Sequence, residues 1–398
     1  VGAVMTEKRT LQHQADNKVW RLYVDVSCTD AEHDGSSWAK AYRSINEAIE
    51  YFANVQATDG VERFEILVRE GDCYPRYSFT NLDPKTATIN VLKTERPLVI
   101  KGGYRVEDDG SAARKPLEYR SVIDGNPKGK ALEDGLYHCI TVAEDANVEI
   151  DGFHVVGGYA VSSTYKSGAG MLVGKRAAVT VRNTVFENNT AVEAAAISAQ
   201  DGSNLTLVNC VVNNNTNTTE SASVIAANNL TMHYVTVVNN KGAAPGGNYS
   251  TSFSAGNTFG SNNMQNLNTL SADGAKNFAN PTNAPGATLG YDTYLGGYSE
   301  FRPLTSSTDA AVLINKANAV EGVTEDISGK GRNLGGKPDL GAYEADLPES
   351  GRVIYVRENG TGDGLSWEDA MGSINGAVNK ALAYNNKLSE EDRKDADK

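Results

Sequence analysis

The chain has 398 residues, 40% of them hydrophobic, and its 50 acidic and 37 basic side chains give a formal net charge of -13. This acidic balance argues against nucleic acid as a partner, because nucleic-acid binding needs a basic surface. The apolar runs are short, so no segment is predicted to span a membrane as a helix.

The N-terminal part predicts a polar extension followed by a capped helix. Residues 1–21 lack the apolar core of a signal peptide, and residues 22–26 alternate like a strand. Ser44 and Glu47 have capping-box spacing, with the Ser44 hydroxyl accepting from the Glu47 amide. Apolar residues then follow at helical spacing. We expect this amphipathic helix, within a cap of residues 22–60, to cover the open end of a stack of strands.

Strand-like runs follow at 64–69, 88–92, 97–101 and 121–126, and regular repeats begin at 139. Similar segments start at Ile150, Val181, Leu207 and Met232, separated by 31 (181 minus 150), 26 (207 minus 181) and 25 (232 minus 207) residues. A period in this range that keeps one apolar register indicates a solenoid. Columns of like residues would stack about 4.8 Å apart, which is the spacing of hydrogen-bonded strands.

Each regular coil is predicted to have two apolar residues on either side of a turn and a second strand beyond it. The turn positions are Gly152, Asn183, Asn209 and Tyr234, and the second strands lie at 170–173, 195–198 and 223–226. Asparagine pairs or triplets at 188–189, 213–215 and 239–240 close the coils. Asparagine tolerates left-handed backbone angles and stacks through its amide, so these residues indicate turns and not a ligand site.

The C-terminal part predicts irregular coils and then a second, incomplete unit. Residues 242–345 form loop-rich coils that complete a domain of residues 22–345, and 346–352 form a linker. From residue 353 the N-terminal pattern returns, with 10 residues from Asp to the Ser of Ser-Ile-Asn in both copies (44 minus 34, 373 minus 363). Residues 353–398 are therefore interpreted as the start of a second repeat, and the sequence as part of a longer array.

Tryptophan and cysteine positions give further predictions. Trp38 and Trp367 occupy the same place in both copies and are expected to pack under the cap helix. Cys210 falls in an apolar column, which indicates a buried thiol. Whether Cys28 and Cys73 form a disulfide is left open by their spacing.

Several stretches resemble a known superfamily. Residues 68–74, 100–104, 122–126 and 150–158 are similar to right-handed parallel β-helix proteins of the pectate-lyase-like superfamily. The opening Tyr-Val and Asp-Gly-x-Ser-Trp, with the closing residues 338–344, resemble bacterial surface proteins with the domain called choice-of-anchor Q. The resemblance spans about residues 22–345. It implies an all-β, right-handed parallel β-helix with an N-terminal cap helix, but it does not specify an activity.

Catalysis on such a fold needs a ladder of carboxylates on an outward face. A lyase would use them to hold calcium or neutralise a uronate, together with a basic proton acceptor, and an inverting hydrolase would pair two of them roughly 6.5–9.5 Å apart. The two outward columns after the turn contain His154, Val185, Val211 and Thr236, and then Val156, Glu187, Asn213 and Val238. Neither is an acid ladder, so calcium is not indicated and no metal site is predicted.

The remaining catalytic candidates are few. Lys166 and Ser167 are similar to the lysine motif of alginate-lyase-like β-helices. Six side chains are candidates to converge on one face of the first regular coils: Lys166, Arg176, Arg182, His154, Glu187 and Glu193. Each is better explained as a solvated surface residue, and His154 as a surface histidine or one packed by a loop.

Aromatic residues suggest binding. Tyr291, Tyr294, Tyr298 and Phe301 cluster in the glycine-rich region, where rings on loops stack against sugars or else pack over the last coils.

The preferred hypothesis is a secreted or surface-displayed bacterial β-helix, non-catalytic, that acts in adhesion or glycan binding. Its expected partners are polysaccharides or cell-surface glycans, neighbouring domains of the same chain, and other surface or secretion proteins. The alternatives are a polysaccharide lyase or glycoside hydrolase, and a purely structural spacer.

Overall fold

A computed structural model describes most of the first unit and part of the residues that follow it. The described residues are 18–75, 83–126, 130–219, 222–238, 240–241, 264–265, 278–279, 289–293, 299–303, 314–315, 317–332, 337–345, 354–364 and 367–385.

Short strands dominate the structure. Those before the regular coils are β1 (Val19–Val24), β2 (Arg63–Arg69), β3 (Gly71–Asp72), β4 (Ile89–Val91), β5 (Leu98–Val106), β6 (Ala112–Arg114) and β7 (Ser121–Asp124). The regular coils contain β8 (Ile140–Val142), β9 (Asn147–Asp151), β10 (Phe153–Val156), β11 (Tyr159–Ala160), β12 (Met171–Val173), β13 (Ala178–Arg182), β14 (Val185–Glu187), β15 (Thr190–Ala191), β16 (Ile197–Ala199), β17 (Asn204–Val208), β18 (Val211–Asn213), β19 (Thr216–Asn217), β20 (Ile225–Ala226), β21 (Asn229–His233) and β22 (Thr236–Val238). The last strands are β23 (Met264–Gln265), β24 (Phe278–Ala279), β25 (Leu289–Thr293) and β26 (Ser299–Pro303).

The described helices are short. They are α1 (Ile45–Asn54), α2 (Ile374–Asn385) and two 3₁₀ turns at Pro84–Thr86 and Leu132–Asp134. None of the helices within the described ranges is long and apolar enough to cross a membrane.

Successive coils contribute neighbouring strands to the same parallel sheets. Sheet A has the order β1-β2-β5-β9-β13-β17-β21, with β6 antiparallel to β5. Sheet B runs β3-β7-β10-β14-β18-β22-β23-β24, sheet C runs β4-β8-β12-β16-β20, and sheet D runs β11-β15-β19. This is a parallel β-helix, right-handed as nearly all parallel crossovers are.

The predicted columns and turns are confirmed. Val148 pairs with Val179, Val179 with Leu205, and Leu205 with Leu230, and all four are buried. Every predicted turn position has a left-handed backbone, with φ of 85° at Gly152, 48° at Asn183, 52° at Asn209 and 56° at Tyr234. One left-handed residue therefore turns the chain from a strand of sheet A into a strand of sheet B. The apolar residues on both sides of the turn still face inward.

A ladder of buried asparagines stabilises the turns after sheet B. The Asn189 side-chain nitrogen donates to Asn215 Oδ1 at 3.0 Å, and the Asn215 nitrogen donates to Asn240 Oδ1 at 3.1 Å. Asn215 also donates to the Phe186 carbonyl at 2.9 Å. Since Asn189 and Asn215 are fully buried, these bonds satisfy polar groups that water cannot reach.

The cap helix covers the N-terminal end of the stack. Strand β1 begins at Val19, three residues earlier than the predicted strand at 22–26, and its Trp20 packs edge-on against Phe52 and Phe64. Helix α1 contacts β1, β2 and β4. The Ser44 hydroxyl accepts from the Glu47 amide at 3.2 Å, which is the half of the predicted capping box that the structure shows.

A C-terminal segment, hereafter the strap (residues 317–332 and 337–345), lies across the outer side of sheet B. Its apolar side chains form a second small core with Val185, Val211 and Tyr234 of the coils. The Ala342 amide donates to the Thr236 hydroxyl at 2.9 Å, and Arg332 donates to Asn209 Oδ1 at 2.6 Å. The outward columns of sheet B are therefore an internal layer.

All four cysteines are free thiols. Cys73, Cys139 and Cys210 are buried, which confirms the prediction for Cys210. The Cys28 thiol donates to the Ala39 carbonyl and the Cys73 thiol to the Gly71 carbonyl. The pairing that the sequence left open therefore does not occur.

Candidate functional site

The face on which an acid ladder would lie is covered. The columns themselves are confirmed, because His154 pairs with Val185, Val185 with Val211, and Val211 with Thr236. However, all four side chains are at most 3% exposed. The expectation that this column faces solvent is wrong, because the strap and the loop at 115–120 form a layer over it.

His154 is held neutral in this layer. Burial, and then the positive charge of Arg120, lower the pKa of His154 to about 3, against a backbone contact at Pro116 that raises it. A histidine that stays neutral throughout the physiological range and does not reach solvent cannot exchange protons with a substrate. The structure therefore agrees with the loop-packed alternative and not with a solvated or catalytic His154.

Glu187 is also buried, in contrast to the expectation of a solvated side chain. It is 4% exposed and accepts a hydrogen bond from the Asn213 side chain one rung away. This contact links adjacent coils within the covered layer, so Glu187 is not available on an outer face.

The other candidates lie on two further faces. Arg182 ends β13 in sheet A and donates to Glu149 at 3.2 Å, while Arg176 forms an exposed ion pair with Asp145 at 2.9 Å. Lys166 and Glu193 are exposed on adjacent rungs beside sheet D, where the Glu193 amide donates to the Lys166 carbonyl at 3.0 Å. The six candidates are therefore not brought together on one face.

The outer side of sheet A carries a charged surface that the columns after the turn did not reveal. Glu65 is 3% exposed and lies 2.8 Å from Arg21, 2.9 Å from Arg63 and 3.6 Å from Lys101. Burial alone would raise the pKa of Glu65, but the Arg21 hydrogen bond and the nearby Lys101 and Arg63 hold it below its usual value.

Further along the same side of sheet A, Asp151 accepts from Arg114 at 2.7 Å and from Asn183 at 3.0 Å. The signal for this surface was the alternation in β9, where Glu149 and Asp151 lie between inward apolar residues. The carboxylates on this side are already bonded to cations, as expected of a salt-bridge lattice.

Trp38 belongs to this side of sheet A and does not pack under the cap helix. Its ring lies 4.9 Å from that of Tyr23 and 5.6 Å from that of Tyr104. The position under the helix is taken by Trp20, whose ring is 5.9 Å from Tyr51 and 6.0 Å from Phe52. The prediction for Trp38 was wrong because the loop at 34–42 folds back over β1 instead of under α1.

Three loops bring together a cluster of aromatic rings beside the Lys166 candidate, hereafter the tyrosine corner (Tyr137, Tyr159, Tyr165 and Lys85). The Tyr137 and Tyr165 rings stack at 4.3 Å with an interplanar angle of 23°. The Lys85 ammonium lies 5.2 Å from the Tyr137 ring centre and 5.6 Å from that of Tyr159. All four residues are partly exposed.

Hydrogen bonds fix the tyrosine corner. The Tyr137 hydroxyl donates to Asp83 at 2.8 Å, and Asp83 also caps the 3₁₀ turn that carries Lys85. The Tyr137 amide donates to the Lys85 carbonyl at 2.9 Å, and the Tyr159 amide donates to the Leu136 carbonyl at 2.6 Å. The rings are therefore set by backbone contacts between coils and do not depend on a ligand for their position.

His138 forms the floor of this cluster. Its ring packs edge-on against Tyr165 at 5.7 Å, and Nδ1 lies 2.9 Å from the Gly168 carbonyl. Burial lowers the pKa of His138, so the ring is neutral and Nδ1 carries the proton that it donates. His138 thus orients Tyr165 by packing.

The predicted glycan-binding tyrosines are not described in full. Tyr291 lies in β25, where its backbone pairs with Phe301 of β26, and its side chain lies outside the described residues, as do Tyr294 and Tyr298. Within the described ranges, no group of three or more His, Cys, Asp or Glu side chains is arranged to hold a metal ion.

Comparisons with known proteins give a fold-level likeness alone. No protein-family model matches the chain, and no curated protein matches it significantly. Among solved structures, that of pectate lyase Pel9A is similar, with 17% identity, a TM-score of 0.35, and coverage of 83% of this chain and 97% of the other. None of these comparisons confirms the resemblance to choice-of-anchor Q proteins. The fold assignment depends on the strand register described above.

Proposed function

We propose that this protein is a non-catalytic β-helix scaffold, displayed on a bacterial surface or secreted, that binds glycans through the tyrosine corner. The observation that carries the proposal is the group of three partly exposed tyrosine rings beside one lysine and one aspartate. Sugar rings present apolar C–H faces and a rim of hydroxyls. A site that combines flat aromatic faces with fixed charged groups is therefore complementary to them.

The geometry of the corner supports recognition of a pyranose. Tyr137 and Tyr165 cover one face of each other and leave their outer faces for a sugar ring, and both rings are already ordered by Asp83 and His138. Preordered rings avoid the entropy cost of fixing flexible side chains on binding. Lys85 and Asp83 lie at the edge of this surface, where the sugar hydroxyls would find a donor and an acceptor.

The state of the polar candidates favours binding over catalysis. His154 is buried and neutral, Glu187 is bonded to Asn213, and Arg182 is paired with Glu149. Neither catalytic reaction considered above has a suitably placed pair of groups among these residues. Surface display is inferred from the resemblance of the cap and closing motifs to choice-of-anchor Q proteins.

A structural spacer is the second candidate, and the return of the cap motif after residue 353 favours it. In that case the coils would separate other domains without binding a ligand. The two candidates differ in one measurable property, which is direct affinity for a glycan.

The test is a glycan array followed by calorimetry on the best hit, with the full chain and three variants. We expect Tyr137→Ala and Tyr165→Ala each to weaken binding about tenfold, which corresponds to roughly 1.4 kcal/mol. Tyr355→Ala removes a partly exposed tyrosine elsewhere and should leave affinity unchanged.

Failure to bind any glycan, or binding that both corner variants retain, refutes the proposal. Unsaturated products or new reducing ends on incubation with acidic and neutral polysaccharides, abolished by Lys166→Ala, would establish an enzyme instead.

A further inference from the structure

The second cap (residues 354–364 and 367–385) repeats the hydrogen bonds of the first. The Tyr23 amide donates to the Gly35 carbonyl at 2.9 Å, and the Tyr355 amide donates to the Gly364 carbonyl at 2.8 Å. Ser373 caps α2 through the Gly376 amide at 3.2 Å, which is the distance from the Glu47 amide to the Ser44 hydroxyl.

The aromatic pair of the first cap also recurs. Trp367 lies 5.1 Å from Tyr355 with an interplanar angle of 61°, compared with 4.9 Å and 65° for Trp38 and Tyr23. From the loop at Gly35 and Gly364 onward, residues 329 positions apart, such as Ile45 and Ile374, are therefore structurally equivalent.

The equivalent helix faces differ in exposure. In α1, Ile45 and Ile49 are 1% and 0% exposed, because they pack on the coil that contains β2 and β4. In α2, the matching Ile374 and Val378 are 72% and 49% exposed, and Leu382 on the same side is 53% exposed. The second cap thus presents an apolar stripe of the kind that the first cap buries.

The hydrogen bonds of Asn46 in α1 indicate which kind of surface the apolar stripe of α2 would contact. The Asn46 side chain donates to the Thr88 carbonyl at 2.8 Å and accepts from the Asn90 amide at 2.9 Å. These are backbone groups at the edge strand β4, so Asn46 takes the place of a neighbouring strand there. Its equivalent, Asn375, is exposed and makes no side-chain hydrogen bond to any residue within the described ranges.

The other side of α2 is already attached to the first unit. Lys380 is 6% exposed and donates to the Asp363 carbonyl at 2.6 Å. The Asp363 carboxylate in turn accepts from the Asn315 side chain at 2.5 Å. The second cap is therefore linked to the first unit through Asp363 and Asn315, and the exposed stripe takes no part in these contacts.

We infer that the second cap is a docking surface for one particular partner, a parallel β-helix coil with the pattern of residues 61–91. The coil's apolar residues would cover Ile374 and Val378, and its edge strand would take the two hydrogen bonds of the Asn375 amide. The cap motif is then a joint that fixes one solenoid unit to the end of another. This inference is independent of glycan binding.

The test extends the chain so that residues 1–383 are followed by a second copy of residues 55–345. We expect the α2 amides to exchange about 100-fold more slowly than in the 398-residue chain, and Trp367 fluorescence to shift to the blue. Val378→Asp should abolish both changes. Asn379→Asp is the matched control and should preserve them, because its equivalent Glu50 is exposed.

Three results would overturn the inference. The added residues could fold without slowing exchange in α2, or they could fail to fold beside the second cap although the same residues fold beside the first. Alternatively, the 398-residue chain could sediment as a dimer that Val378→Asp dissociates, which would make the occupant a second copy of the chain.

Discussion

Arg332 is predicted to be the main polar anchor of the strap, and its replacement by methionine tests this. The guanidinium is 1% exposed and donates to the Glu344 carboxyl at 3.1 Å. It also donates to Asn209 Oδ1 at 2.6 Å and to the Ala342 carbonyl at 3.0 Å, and it lies 3.9 Å above the Tyr234 ring. Methionine keeps the volume and flexibility but removes every polar contact.

The expected loss of strap stability is large because the hydrogen-bond partners of Arg332 stay buried when its side chain is replaced. Removing one member of a buried ion pair costs about 3–5 kcal/mol. That cost does not apply here, because burial and the neighbouring Asp339 raise the pKa of Glu344 to about 9, so its carboxyl is already protonated at neutral pH and is not left as an unpaired charge. The Asn209 and Ala342 oxygens lose their donor, at about 1–3 kcal/mol for each group that stays unsatisfied. We therefore expect the free energy of opening the strap to fall by about 4 kcal/mol.

Hydrogen exchange measures this loss locally. The Ala342 amide donates to Thr236 and the Glu344 amide to Asp326, so both report whether the strap is closed. A loss of about 4 kcal/mol predicts exchange nearly 1,000-fold faster at these amides.

Arg176→Met is the matched control, because Arg176 is about half exposed and surface ion pairs of this kind contribute little to stability. Equal exchange in Arg332→Met and Arg176→Met, or unchanged exchange in both, would refute the anchor role.

Three further predictions concern pH, the asparagine ladder and the cap. Because the pKa of Glu344 is raised, the closed strap keeps a proton that the open strap releases. Strap stability, measured by exchange at Ala342, should therefore fall by up to about 1.4 kcal/mol per unit as pH rises from about 5 to about 9. Asn215→Leu leaves several buried groups of the ladder unsatisfied at about 1–3 kcal/mol each, which should lower the urea midpoint. Ser44→Ala removes the N-cap of α1 and should cost about 1 kcal/mol in the same unfolding measurement.

Each of these has its own control. Glu344→Gln mimics the protonated acid and should flatten the pH dependence, so a slope that survives it contradicts the assignment. Asn204 is exposed at the start of β17. If Asn204→Ala lowered the urea midpoint as much as Asn215→Leu, the buried ladder would contribute no more to stability than an exposed asparagine. A Ser44→Ala effect near zero would mean that the helix is held by packing alone.

The coils were predictable because two periodicities coincide in them. Alternation along each strand gives the inward face, and the spacing of 25–31 residues gives the register, so that Val148, Val179, Leu205 and Leu230 align as expected. The strap was not predictable, since its contacts are hydrogen bonds and rings that show no period. Yet Val185 and Val211 were a signal, because apolar residues in an outward column indicate that another segment covers it.

The candidate site was only partly predictable. Lys166 and Glu193 do lie on adjacent rungs next to the tyrosine corner. The corner itself joins residues 83–85, 137–138 and 159–165, and the sequence has no pattern that relates three loops of different coils. The charged side of sheet A was predictable from the alternation of β9, because Glu149 and Asp151 lie in outward columns before the turn.

The strap also bears on the order of folding. Neighbouring coils are joined by bonds across about 25–31 residues, such as Asn189 to Asn215, whereas Arg332 reaches Asn209 across 123 residues. Longer loops cost more entropy to close, so local contacts form first. We expect the coils to assemble before the strap docks, leaving Val185 and Val211 transiently open to solvent. That intermediate exposes apolar surface on the outer side of sheet B. The rate at which the strap closes over this surface sets how long a newly made chain stays prone to aggregation.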